Sequence, residues 1–272
     1  MTESIKKYFK VGIVAFMAFP DLAKGDCPDT LSHLKKIAAD DYFDAIEVNW
    51  IHDLKIRKKA AQMLTSSHIE VCYGAQPRLL TTGLNPNHLE ESERQKAEQT
   101  LLEALDEAQE LGAKGIAFLA GKWKEETKEE SYQQLLRTTK NLCRYAKEKD
   151  MTVELEVFDF DIAKKSLMGP APYAAKFASD IRSEYSNFGL LVDLSHIPMC
   201  RENAKFTIQT LKPYITHFHI GNTVCQDKNA EGYGDEHQRF GFSGGSNDVQ
   251  EVLDFLRVLK QEGFFCSENP YV

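Results

Sequence analysis

Long apolar runs are missing from this sequence. The stretch from Val11 to Pro20 is the apolar segment nearest the N-terminus, and it falls well short of the ~20 residues a spanning helix needs. The opening MTESIKKYFK also lacks a signal-peptide core, so a soluble, cytoplasmic location is expected, with no membrane partner. Cysteine pairing is missing too. Six cysteines, from Cys27 to Cys266, form no CxxC motif, which argues against a disulfide scaffold or a thiolate zinc site and for reduced thiols. Positive charge is in the minority, with 33 Lys and Arg against 41 Asp and Glu and a net charge of −8. Such a chain repels a phosphate backbone, so nucleic acid is not an expected partner. Nor does a GxGxxG fingerprint follow the first apolar run, which weakens a dinucleotide-binding reading.

The sequence does contain a regular alternation. Eight short apolar runs begin at Val11 (VGIVAF), Ala45 (AIEVNW), Ile69 (IEVCYG), Gly115 (GIAFLAG), Thr152 (TVELEVF), Gly189 (GLLVDLSH), Ile215 (ITHFHIGN) and Phe264 (FFCSEN). Between them, amphipathic patterns predict helices over 29–39, 54–64, 89–111, 129–149, 172–184, 202–211 and 248–261. Gly112 and Gly263 stand just past two helix ends, where a left-handed cap is expected, and Asn247 or Asp248 is placed to cap the last helix. Strands alternating with helices imply a parallel sheet, and eight units imply its closure into a TIM (β/α)8 barrel, one α/β domain spanning 1–272. The pattern stops at Val272 directly after the eighth run, so the final helix is expected to be lacking, through dispensability or truncation.

In such a barrel alternate strand residues face inward, and chemistry gathers at the C-terminal strand ends. By this parity Glu156, Asp193, His219 and Glu268 point inward near the tops of four consecutive strands, and His196 begins the loop three residues after Asp193. Burying three unpaired carboxylates together is very costly. A divalent cation removes that cost, and a set of oxygens with one imidazole suits Mn²⁺ first, with Co²⁺, Mg²⁺ or Zn²⁺ as alternatives. Glu47 and Asn49 share the inward parity on the second strand and read as an internal polar layer. Phe16, Phe19, Gln76 and Trp123 stand near strand ends as pocket walls, and Trp50 opens the loop after the second strand as a flat stacking surface.

The segments LEVFD, VDLSH, HFHIGN and SEN resemble, in order and spacing, the sugar isomerase and epimerase superfamily of xylose isomerase-like TIM barrels, particularly its ketose 3-epimerase branch. The resemblance implies that Glu156, Asp193, His219 and Glu268 hold the metal and that His196 contacts substrate. It further implies that Glu156 and Glu268 are the acid and base pair, one on each face of the sugar. Removing a proton alpha to a ketose carbonyl requires a metal to stabilise the enediolate oxygens and a placed carboxylate as base. Reprotonation from the opposite face epimerises, whereas protonation of the neighbouring carbon interconverts aldose and ketose. The implied substrate is a small carbohydrate, free or phosphorylated, and a homo-oligomer is expected by analogy.

One departure stands out: the arginine that usually follows the metal histidine is absent from GNTVCQ at 221–226. The segment GYGDEHQRFGFSGGSND follows instead, and its Asp235, His237 and Arg239 are candidates to reach back over the mouth, His237 and Arg239 as substrate-binding residues. Alternative functions are a keto-polyol or keto-acid dehydratase of the same superfamily, a non-catalytic carbohydrate-binding barrel, and an endonuclease IV-like nuclease. The last fits Asp193 with His196 and Asp235 with His237. It lacks histidines in YGAQP and FLAGKW, where a three-zinc site needs them.

Overall fold

The computed structural model describes residues 3–266 and 271–272. Its strands are β1 (Gly12–Val14), β2 (Ala45–Val48), β3 (Glu70–Tyr73), β4 (Gly115–Leu119), β5 (Thr152–Glu156), β6 (Phe188–Asp193) and β7 (Ile215–His219). All neighbouring pairs are parallel, in the orders β1-β2-β3 and β4-β5-β6-β7. A bridge between Gly74 and Ala117 joins β3 to β4, with the Ala75 N–H donating to the Ala117 carbonyl at 2.7 Å. The last two residues stand between β7 and the segment entering β1. Lys10 N–H donates to the Tyr271 carbonyl at 2.8 Å, and Phe218 N–H donates to the Val272 carbonyl at 3.0 Å. Strands in sequence order around one axis, with helices outside, make this a TIM barrel.

The outer layer holds α2 (Thr30–Ala38), α3 (Leu54–Thr65), α5 (Glu91–Leu111), α6 (Lys128–Glu148), α7 (Ala171–Arg182), α9 (Ala204–Leu211) and α10 (Val249–Gln261), within a few residues of the seven expected helices. Their ends follow local chemistry. Asp248 and Glu251 form a reciprocal capping box at the start of α10, and Gly112 ends α5 in the left-handed conformation. One face of α5 is fully buried through Leu101, Ala104, Leu105, Ala108 and Leu111, so Leu105→Ala is expected to cost about 2–5 kcal/mol. Among the described residues no helix is long and apolar enough to cross a membrane.

Three short helices sit in loops at the catalytic end: α1 (Ala15–Ala18), α4 (Gln76–Thr82) and α8 (His196–Met199). The first corrects the expected strand VGIVAF, whose last two residues, Ala15 and Phe16, are helical. A second correction concerns the run from Phe264. Residues 264–266 form no strand, and 267–269 lie outside the described residues. The cause is local, because Phe264 still belongs to the end of α10: its N–H donates to the Leu259 carbonyl across Gly263, which has φ 87°.

One irregularity positions the site. Between Leu190 and Leu191 the β6/β7 register shifts, so that Leu190 opposes Ile215 but Leu191 opposes His217, leaving Thr216 as an extra residue. The bulge presses Thr216 against Gly189, where an added Cβ would meet Thr216 Oγ1 at 2.1 Å. Beyond it His219 stands directly opposite Asp193.

Candidate metal centre

Parity along three neighbouring strands turns two alternate residues of β5 and two of β7 into the barrel. Glu154 pairs in register with Ala117 and Gly189, and Glu156 pairs with Leu119 and Leu191. At the upper level Glu156, Asp193 and His219 converge, and their ligand atoms all lie within 4.8 Å of one another. His219 Nδ1 is 3.8 Å from Glu156 Oε1 and 3.9 Å from Asp193 Oδ2. These separations are too long for hydrogen bonds. They do let one cation, with bonds of ~2.0–2.2 Å, reach all three after small shifts.

The second polar atom of each group is already engaged. His219 Nε2 lies 3.1 Å from Glu47 Oε2, an arrangement in which the Nε2–H donates to the carboxylate and the Nδ1 lone pair faces the centre. Gln76 Nε2 donates to Glu156 Oε2 at 2.7 Å, and the Ser195 N–H donates to Asp193 Oδ1 at 2.7 Å. One donor atom per residue is thereby left facing inward. Among the described residues Glu47 Oε1 and Gln76 Oε1 are buried without a hydrogen-bond partner, an arrangement that calls for a further polar or cationic neighbour. Gly74 makes the crowding possible, since a Cβ there would fall 2.6 Å from Glu47 Oε1 and 2.9 Å from Gln76 Oε1. The residues present therefore fit a divalent cation.

Electrostatics point the same way. Glu47, Glu156 and Asp193 are each at most 4% exposed and meet around His219. Burial opposes protonation of His219, yet Glu47 and Glu156 outweigh it and raise its pKa well above the usual value. Burial likewise pushes the Glu47 carboxyl up, and the charge of His219 more than reverses this, leaving it lowered. Asp193 is also lowered, with His196, His237 and His219 overcoming its burial. Protons on these imidazoles supply the positive charge that a metal supplies when it displaces them.

Beside this centre stand the remaining candidates. His196 is 2% exposed, with Nδ1 3.0 Å from the Val157 carbonyl and Nε2 3.1 Å from Asp235 Oδ1, so both nitrogens already have protein partners. His237 reaches back over the mouth and places Nε2 3.0 Å from the same Asp235 oxygen. Arg239 is exposed on the cavity wall, donating from Nη1 to the Phe240 carbonyl at 3.3 Å. Burial disfavours the His196 cation, but Asp235 and Asp193 dominate and push its pKa up to about 10. The same contacts hold Asp235 far below the carboxylate range despite its burial. Glu268, expected as the fourth ligand and second acid-base group, lies outside the described residues.

A cavity of about 580 Å³ opens here, lined by Glu47, Glu156, Asp193, His219, Asp235 and His237, with Phe16, Gln76 and Leu80 among its other walls. Phe16 and Gln76 thus take the expected position. Trp50 does not: its indole N–H donates to the Ala23 carbonyl at 2.9 Å, and its ring packs under Arg78 at 5.3 Å. Phe19 stacks on His33 at 4.2 Å, and Trp123 packs beneath the Lys128 ammonium. Glu47 is the main residue that sequence reasoning undervalued. The available signal was a carboxylate at an inward position of a short apolar strand. All six cysteines are free thiols, as expected.

Comparison with known proteins places the chain in a family. A family model described as a xylose isomerase-like TIM barrel matches residues 36–271. Among solved structures, a D-tagatose 3-epimerase-like protein superposes with a TM-score of 0.70 at 20% identity, covering 94% of this chain and 87% of the other. L-Ribulose 3-epimerase gives a TM-score of 0.72 at 17% identity, over 94% and 79%. The IolI protein, solved with a bound zinc atom, gives 0.68 at 17%, over 94% and 86%. No curated protein matches significantly. At these identities the structural likenesses establish the fold.

Proposed function

The chain belongs to the xylose isomerase-like TIM barrel family, and on that premise we propose that it is a metal-dependent sugar isomerase or 3-epimerase acting on a ketose or related small carbohydrate. The observation that carries this reading is the convergence of Glu156 Oε1, Asp193 Oδ2 and His219 Nδ1, each on a side chain whose other polar atom is held from behind. Its similarity to 3-epimerases and to a zinc-bound relative supports both the substrate class and the metal.

Glu156, Asp193 and His219 would hold one divalent cation, Mn²⁺ first, with Glu268 as the fourth ligand on the strength of the resemblance. When bound, the cation supplies Lewis-acid polarisation of a carbonyl and stabilises the negative charge that grows beside it. Glu156 takes or returns the proton alpha to that carbonyl. Its Oε2 is fixed by Gln76, which sets the direction of its free oxygen. Glu268 performs the complementary transfer at the opposite face. His237 and Arg239, on the cavity wall, bind substrate hydroxyls. His196, sealed between Val157 and Asp235, acts on substrate through the geometry of this wall.

The test is solvent deuterium exchange into a panel of free and phosphorylated ketoses with Mn²⁺, read by NMR and mass spectrometry. Deuterium appearing at the carbon alpha to the carbonyl, with an epimer or isomer product, is the expected result. Loss of water would assign a dehydratase, and metal-loaded protein that binds ketose without exchange would overturn the catalytic reading.

A further inference from the structure

Beyond Val157, whose carbonyl holds His196, the loop after β5 has no role in the centre as described, yet it is folded with unusual care. Asp159 is completely buried, and its carboxylate accepts four backbone N–H groups: Ile162 at 2.7 Å, Ala163 at 2.8 Å, Lys164 at 2.8 Å and Lys165 at 3.2 Å. The turn is closed behind by the Ser166 N–H donating to the Asp159 carbonyl and the Ser166 hydroxyl donating to the Ala120 carbonyl. Lys165 is left at φ 54°, in the left-handed region that favours glycine. A structure that accepts such strain over-determines the loop.

The fold of the loop sends Lys164 across the mouth. Its ammonium lies 3.0 Å from Asp235 Oδ2, and this carboxylate is only 3% exposed. The opposite oxygen, Asp235 Oδ1, is the one that both His196 Nε2 and His237 Nε2 approach. His237 itself stands at φ 46°, so the second loop is strained where it meets the first. Asp235 therefore joins two loops: on one side an ammonium delivered from β5, on the other two imidazoles that face the metal centre.

We propose that Lys164 is a positioning residue for the reaction: the Asp159-built turn delivers its ammonium to Asp235, and Asp235 so anchored fixes His196 and His237 beside the substrate. Lys164 acts through Asp235. This role rests on the reading of the site as a ketose isomerase or epimerase. Freed of Lys164, the Asp235 carboxylate rotates, and the two imidazoles lose their common acceptor. Outer partners of this kind change activity by about 10- to 100-fold.

The test uses the Mn²⁺-loaded full chain and three variants, Lys164→Met, Lys164→Arg and Asp159→Asn. Lys164→Met is expected to lower kcat/KM about 10- to 100-fold with metal content unchanged, and Lys164→Arg to restore most of the loss. Asp159→Asn keeps the lysine but loosens its turn, so a fall in the same direction is expected. A second readout is independent of turnover. In Zn²⁺-loaded protein at a single pH, the ring NMR signals of His196 and His237 should shift in Lys164→Met while those of His52 and His88 stay in place. Unshifted signals, or shifted signals with a wild-type kcat/KM, would overturn the positioning role. Shifted signals in a protein that exchanges no ketose proton would instead count against the proposed activity and leave the clasp standing.

Discussion

Two polar layers lie one above the other inside this barrel, sharing strands β5 and β7, and they behave differently. The lower layer sets Glu154 against His217, with Nδ1 3.1 Å from Oε2: one carboxylate and one imidazole that satisfy each other. Two residues further along β5 and β7, the upper layer sets His219 among Glu47, Glu156 and Asp193. β5 and β7 serve both layers, and the upper one adds a carboxylate from β2 and another from β6. An equal pair can close on itself as an internal hydrogen bond, whereas an excess of buried carboxylate demands a cation.

The comparison can be broken most sharply at the upper layer. Glu156→Gln and Asp193→Asn are expected to abolish turnover, by at least about a thousandfold where the proton-transferring carboxylate is lost. Their far-UV circular dichroism should remain that of the wild type. Retention of wild-type exchange rates by both variants would end the assignment. Metal removal gives the next effect. Mn²⁺ at a hundred times its Kd should stabilise the wild type by about 2.7 kcal/mol in urea unfolding, and Asp193→Asn should gain little of this.

A smaller effect separates the layers directly. Glu47→Gln leaves the three inward ligand atoms in place but weakens the hold on His219 Nε2, so metal affinity should fall about 10- to 100-fold by competitive chelation. Glu154→Gln, two residues below Glu156, should lower thermal stability while leaving metal affinity within about twofold, as expected of a self-contained pair. Equal losses from both substitutions would erase the distinction.

A further effect is on pH. In metal-free protein His196 is raised from 6.5 to about 10 by Asp235 and Asp193 against its burial. A group raised on folding stabilises fully below its unfolded value and loses that contribution as pH climbs through the folded one. The melting temperature in EDTA should therefore decline between about pH 6.5 and about pH 10. In Asp235→Asn this decline should be shallower, and an identical slope would remove Asp235 as the cause.

Much of this was legible in the residues. The alternation of short apolar runs with amphipathic stretches specified barrel and helices, because periods near 2 and 3.6 leave few other ways to bury apolar faces. Inward parity at strand ends found Glu156, Asp193 and His219, and it holds because side chains in a strand must alternate. Parity also turned Glu47 inward, but it gave no means of knowing that β2 faces β7 across the axis. At 264–266 the apolar run misled for a local reason: a helix C-cap and a strand start can both begin with glycine and an aromatic residue.

By itself the sequence determined which residues face the axis and how much negative charge that axis would carry, since both follow from order along the chain. Only the tertiary structure decided which of those groups meet. A bulge opposite Gly189 set His219 level with Asp193, and barrel curvature brought Glu47 behind His219. Loops from β5 and β7 closed on a single carboxylate at Asp235. Contacts between strands and loops far apart in sequence depend on register and curvature, which are properties of the assembled sheet and of no single segment.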